Sequence, residues 1–129
     1  MAERLVVIGG NPAGMAAATN ARRGRPDLEI VAVERGTHTS YSSCGLPYVV
    51  GGTVESIDPE RWDLAFNVNA RGVYALCRSA LPYLRSDGNG SIIMTSSSSA
   101  FMGGESRPSH AYAATKGALL SLVRAMAVS

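Results

Sequence analysis

Apolar residues fall along this chain in two periods, and the periods alternate. Arg4-Leu5-Val6-Val7-Ile8 is a short apolar run of the kind that forms a buried strand. Met15-Ala16-Ala17-Ala18-Thr19-Asn20-Ala21-Arg22-Arg23 reads as a helix, and Glu29-Ile30-Val31-Ala32-Val33-Glu34 returns to a strand. The expected order is strand (about 4–9), helix (13–24), strand (29–34), a loop, helix (about 62–85), strand (91–96) and helix (about 109–128). Pro82 lacks an N–H and should kink or end the helix that contains it. Asp87-Gly88-Asn89-Gly90 is a turn. Alternating strands and helices predict an α/β fold with a short parallel sheet and right-handed crossovers. The expected strand order is 2-1-3, with the last strand beside the first. That order would bring the glycines after the first strand and the hydroxyls after the last to one sheet edge.

Composition narrows the class without changing the fold. The 129 residues are 46% hydrophobic with 14 glycines, which suits one compact domain. A net charge of +2 gives no reason to expect nucleic acid or a membrane surface as partner. No apolar run is long enough to span a bilayer. Met1-Ala2-Glu3-Arg4 leads into a strand without a secretory pattern, so the expectation is cytoplasmic. Cys44 and Cys77 make no disulfide framework, and no metal-ligand spacing is present. Cys77 lies in a helical pattern and reads as a packing residue.

The first candidate chemistry is the turn Gly9-Gly10-Asn11-Pro12-Ala13-Gly14. It sits between a strand and a helix, and Glu34 follows about twenty positions later, at the end of the next strand. This is the context of the dinucleotide fingerprint of Rossmann-like three-layer domains, and it makes NAD(P) or FAD the expected cofactor. Backbone N–H groups at the helix start would face a pyrophosphate, and Glu34 would accept from a ribose hydroxyl. Asn11 departs from the pattern, because its side chain stands where the middle glycine belongs. A ligand-free strand–helix turn and a solvated strand-end charge are the plain alternatives.

The second candidate is Tyr112-Ala113-Ala114-Thr115-Lys116, which puts a phenol and an ammonium one helical turn apart. A cation beside a phenol favours the phenolate, and such a group can trade a proton with an alcohol or carbonyl. Gly90-Ser91-Ile92-Ile93-Met94-Thr95-Ser96-Ser97 is a strand ending in hydroxyls, and Asn69 lies in the helical stretch before it. Taken together, residues 62–129 resemble the catalytic half of the short-chain dehydrogenases/reductases. The resemblance implies Tyr112 as general acid/base and Lys116 as the residue that tunes it and holds the nicotinamide ribose. It implies Ser97 as the hydrogen-bond donor to the substrate oxygen, with Ser96, Ser98 and Ser99 as neighbours competing for that role. It implies Asn69 as the holder of a relay water. The alternatives are a turn-capping hydroxyl for Ser97 and a solvent-facing side chain for Asn69.

The loop Ser40-Tyr41-Ser42-Ser43-Cys44-Gly45-Leu46-Pro47-Tyr48 points elsewhere. Residues 1–57 resemble the FAD-binding start of the pyridine nucleotide–disulfide oxidoreductases, of the coenzyme A-disulfide reductase and NADH oxidase type. That resemblance implies Cys44 as a redox cysteine, with Ser40 and Ser43 near coenzyme A, and a helix start beside a thiol favours its thiolate. A surface thiol without an electron source is the alternative. The chain thus reads as two pieces of two families, 1–57 and 58–129, on one compact domain. The dehydrogenase part lacks that family's own T-G-x-x-x-G-x-G turn. The leading expectation is nicotinamide-dependent hydride transfer between an alcohol and a carbonyl, on a small-molecule substrate. A flavin-dependent disulfide reductase fragment and a non-catalytic nucleotide-binding module are the competing expectations. The helices near 62–85 and 109–128 match the pair that meets across dimers in the dehydrogenase family, so a homo-oligomer is expected.

Overall fold

The computed structural model describes residues 3–40, 58–86, 88–103 and 110–128. They fall into two compact units, dividing between residues 45 and 46.

The first unit is a strand–helix–strand. Strand β1 (Arg4–Ile8) and strand β2 (Glu29–Val33) pair in parallel, with Val6 opposite Val31 and Ile8 opposite Val33. Helix α1 (Pro12–Gly24) makes the crossover. Proline at its first position costs no hydrogen bond there, and Arg22 and Arg23 in the last turn suit the helix dipole. Val7 on β1 and Ala18 on α1 are the buried pair of this unit. The other face of the sheet, Val6, Ile8, Val31 and Val33, stays 38–56% exposed. The β1 run is therefore covered on one face, a distinction that an unbroken apolar run does not encode.

The second unit is built on one long helical stretch. Helix α2 (Pro59–Phe66) starts at Asp58, whose carboxylate accepts from the Glu60 N–H at 3.0 Å. Trp62 stacks on Phe66 with ring centroids 5.0 Å apart, one turn along the same face. A π-helical segment follows at Asn67–Arg71, and helix α3 (Gly72–Ser86) continues it. Pro82 does not end α3, which runs on to Ser86. A 3₁₀ turn spans Ser98–Ala100, and helix α4 covers His110–Met126. Ala111, Thr115 and Leu119 recur every four residues and form the buried stripe of α4. That stripe packs against α2 and the π segment.

The expected third strand is not seen. Among the described residues the sheet has two strands, β1 and β2. Residues 91–96 keep a strand's alternation, with Ser91, Ile93 and Thr95 exposed and Ile92, Met94 and Ser96 half-buried. Ser97 closes the segment in extended geometry (φ −151°, ψ 153°). Among the described residues it has no ladder partner, and strand propensity cannot supply one. The described sheet is β1-β2, so it holds no third strand from which the expected order 2-1-3 could be read.

Candidate functional site

In the second unit, two hydrogen bonds latch the end of the 91–97 segment onto α4. The Lys116 ammonium donates to the Thr95 carbonyl at 2.9 Å, and the Ser96 hydroxyl donates to the Lys116 carbonyl at 2.9 Å. Helical spacing puts Lys116 on the same side of α4 as Tyr112, with Nζ 5.7 Å from the centre of the phenol ring. Partial burial lowers the Lys116 ammonium from its ordinary range. The pair expected from the Y-x-x-x-K spacing is thus formed, and a main-chain carbonyl fixes its cation.

Asn69 joins this pair through a residue that the sequence did not single out. Its amide nitrogen donates to Thr115 Oγ1 at 3.2 Å, and Thr115 Oγ1 donates to the Tyr112 carbonyl at 2.7 Å. Thr115 is fully buried. The solvent-facing alternative for Asn69 is therefore not what is found. A π turn at Asn67–Arg71 carries it, closed by the Gly72 N–H on the Asn67 carbonyl. Such single turns accommodate an extra residue and re-aim the side chains they carry. The only prior sign of Thr115 was a β-branched hydroxyl inside an otherwise alanine-rich helix. Thr115→Val keeps the shape and removes both bonds. It is expected to cost about 1–3 kcal/mol of stability, because a partly buried amide loses its acceptor. Urea denaturation checks this, and an unchanged midpoint would deny the network any structural role.

Ser97 takes up the capping role. Its Oγ accepts from the Ser99 N–H at 3.2 Å and starts the 3₁₀ turn. A hydroxyl that accepts one bond still has its own O–H to donate. Cys77 is 4% exposed and burial pushes its thiol up, so it is an inert packing residue.

In the first unit, the glycine turn has the shape its pattern requires. Gly9 sits at φ +103°, in the region that favours glycine. A Cβ on Gly14 would stand 2.0 Å from the Gly9 carbonyl oxygen, so α1 meets the turn in van der Waals contact. Asn11 is the exposed residue before α1, in extended geometry, and its side chain caps nothing. Glu34 is not a free strand-end charge. One carboxylate oxygen accepts from the Gly10 N–H at 2.5 Å and the other from the Gly36 N–H at 2.8 Å. These two bonds hold its carboxyl below the usual range, the Gly36 bond contributing most. Gly9, Gly10, Gly14 and Glu34 are thus brought together. Ser40 ends this stretch at φ +59°, its N–H donating to the Gly10 carbonyl. Cys44 and Ser43 lie outside the described residues, as does most of the loop around them. No group of three or more possible metal ligands occurs among the described residues. Among the described residues no helix is long and apolar enough to cross a membrane.

Residues 31–129 match the family described as enoyl-(acyl carrier protein) reductase. The chain belongs to the short-chain dehydrogenase/reductase family. Versicolorin reductase stcU of Emericella nidulans is 37% identical over 98 residues, covering 75% of this chain and 36% of that protein. This short-chain dehydrogenase/reductase also carries a second likeness. The NADH oxidase of Methanocaldococcus jannaschii is 36% identical over 55 residues, covering 43% of this chain and 12% of that protein. The NAD(P)H coenzyme A polysulfide/persulfide reductase of Pyrococcus horikoshii is 40% identical over 52 residues, 40% of this chain and 12% of that protein. The chain therefore spans about a third of one relative and about an eighth of the others. No solved structure matches it. The chimera-like reading of the sequence agrees with these two sets of relatives.

Proposed function

We propose that this chain is a nicotinamide-dependent oxidoreductase that interconverts an alcohol and a carbonyl. In this reading residues 58–129 carry the reactive side chains and residues 1–57 the nucleotide-binding turn. The observation that carries it is the pair on α4, with the Lys116 ammonium 5.7 Å from the Tyr112 ring and anchored on Thr95. Tyr112 gives or takes the proton at the substrate oxygen. Lys116 sets its positive charge beside the ring that carries this proton. Ser97 donates its remaining O–H to the same oxygen, where charge develops. Asn69 acts through Thr115, holding the turn of α4 that bears Tyr112. The bound dinucleotide would supply or accept the hydride.

The residues at the glycine turn fit a dinucleotide. Gly9 and Gly14 carry no side chain at the turn, Asn11 is the one departure from the pattern, and no acidic residue stands in the first turn of α1 to repel a pyrophosphate. Glu34 already holds the turn amide of Gly10, which supports a role for its carboxylate in meeting a ribose hydroxyl. A 2′-phosphate would meet that carboxylate with like charge. NADH is therefore expected to bind more tightly than NADPH, and calorimetric titration of each reads the difference. Equal or tighter binding of NADPH would overturn the role of Glu34.

A second reading has an observation of its own. The Ser97 hydroxyl accepts from the Ser99 N–H and so caps the Ser98–Ala100 turn, and the described residues form two compact units. A module that binds a nucleotide and turns nothing over accounts for both. NADH binding without turnover of any small ketone or aldehyde would decide for it. A flavin that copurifies with the chain would favour the disulfide-reductase reading, in which FAD is the cofactor and Cys44 the redox residue. A homo-oligomer formed through α3 and α4 belongs to the dehydrogenase reading.

A further inference from the structure

Four consecutive hydroxyls, Ser96 to Ser99, follow the extended segment, and the hydrogen bonds around the first two differ in direction. The Ser96 Oγ donates to the Lys116 carbonyl at 2.9 Å, across 20 positions of chain. A carbonyl inside a helix has a second lone pair left after its intrahelical bond, so it can take this donor as well. The Ser97 Oγ instead accepts, from the Ser99 N–H at 3.2 Å. The Ser97 carbonyl also accepts, from the Ala100 N–H at 3.0 Å. A serine hydroxyl carries one proton. Ser96 directs its proton at α4, so it has none to give a substrate oxygen. Ser97 keeps its own. Ser96 is half-buried, as suits a side chain held between two elements.

We infer that Ser96 is a positioning residue, which sets Ser97 relative to Tyr112 by tying the chain just before Ser97 to the Lys116 carbonyl. For the roles of Ser97 and Tyr112 this rests on the oxidoreductase reading above. Ser97 is the residue after Ser96, and Tyr112 lies one helical turn before Lys116. The Ser96 bond therefore joins the two elements one residue from the first group and one turn from the second. It does not act alone. The Lys116 ammonium donates to the Thr95 carbonyl, so Lys116 holds residue 95 by its side chain and residue 96 by its main chain. A segment held by one bond can pivot about it, and a second bond at the next residue removes that freedom. The 3₁₀ turn that begins at Ser97 also packs on α4, so a slip at Ser96 would carry this turn with it. Hydride and proton transfer tolerate little slip, since a misplacement of about 1 Å can cost about 10²-fold in rate. The two ends of Lys116 also separate charge from placement. Removing the ammonium keeps the carbonyl that Ser96 uses, and removing the Ser96 hydroxyl keeps the ammonium beside the Tyr112 ring.

The test compares Ser96→Ala with Ser96→Thr in the whole chain. Both should keep the parent circular dichroism, because one loses a single oxygen and the other adds a single methyl at a half-buried position. Ser96→Ala should lower kcat for a small ketone by about tenfold to a hundredfold. It should leave KM for NADH within about twofold, since neither the glycine turn nor the Lys116 ammonium is altered. Ser96→Thr keeps the hydroxyl and should recover most of the rate. In a Ser97→Ala background the loss from Ser96→Ala should shrink to about twofold or less, because no hydroxyl is left to position. Amide exchange reads the same geometry without turnover. The Ser99 and Ala100 N–H groups both donate to Ser97. Their exchange should speed up about tenfold in Ser96→Ala, stay at the parent rate in Ser96→Thr, and leave β1 unaffected in both. Faster exchange in Ser96→Ala, from a parent that turns nothing over, would uphold the placement of Ser97 by Ser96 and sink the oxidoreductase reading. Unchanged exchange at Ser99 and Ala100 would overturn the inference. So would a loss of kcat that persists undiminished in the Ser97→Ala background.

Discussion

Tyr112→Phe is expected to abolish measurable reduction of a small ketone or aldehyde while leaving the fold unchanged. The ring stays in its half-buried place on α4, and nothing in the described residues depends on the phenolic oxygen. The Thr115 bond that organises this turn goes to the Tyr112 carbonyl, which the substitution keeps. What disappears is the proton donor, and general acid–base catalysis contributes about 10²–10⁴-fold. Lys116→Ala acts differently. It removes the cation beside the ring and frees the Thr95 carbonyl but keeps the proton donor, so the loss of rate should be smaller. Initial rates distinguish the two variants. A Tyr112→Phe protein that matches the parent rate would sink the proposed mechanism.

Gly14→Ala should unfold the first unit, although alanine is the better helix former. Propensity alone would favour alanine by about 0.5–1 kcal/mol. The added carbon would instead stand 2.0 Å from the Gly9 carbonyl oxygen and 3.0 Å from Val7 Cγ1. The oxygen belongs to backbone, and Gly9 is already held at φ +103°, so neither can yield cheaply. Overpacking usually costs about 1–3 kcal/mol. A clash with main chain belongs to the tail of the distribution, above about 4 kcal/mol. The matched control is Gly24→Ala, where nothing lies within 4 Å of the added carbon. Hydrogen exchange at β1 should lose its protection in Gly14→Ala and keep it in Gly24→Ala. Comparable protection in both would show that α1 does not rest on the turn.

What could be read in advance follows from how far each interaction reaches along the chain. Helix spacing is local, so Tyr112 and Lys116 were legible as a pair, and the bounds of β1, α1, β2 and α4 fell within a residue or two. The glycine turn and Glu34 were legible as candidates at the ends of two strands, but the bonds from the Gly10 and Gly36 N–H groups to the Glu34 carboxylate were not. The third strand was not, since Ile92–Thr95 shows what a strand is made of and not which edge receives it. Thr115 was invisible for a similar reason. Its role depends on Asn69, 46 positions away, and on a π turn that no apolar period announces. Ser97 was legible as a hydroxyl at a strand end, but its bond to Ser99 depends on how the next turn is wound.

The bare face of the β1–β2 sheet bears on how the folded chain responds to temperature. Val6, Ile8, Val31 and Val33 are already largely hydrated before unfolding begins. Melting the sheet wets them little further, and the heat capacity of unfolding comes mainly from newly wetted apolar surface. The increment for the first unit is therefore expected below the usual range of about 12–15 cal/mol/K per residue. A smaller increment flattens the stability curve, so stability changes slowly between cold and warm and its maximum is shallow.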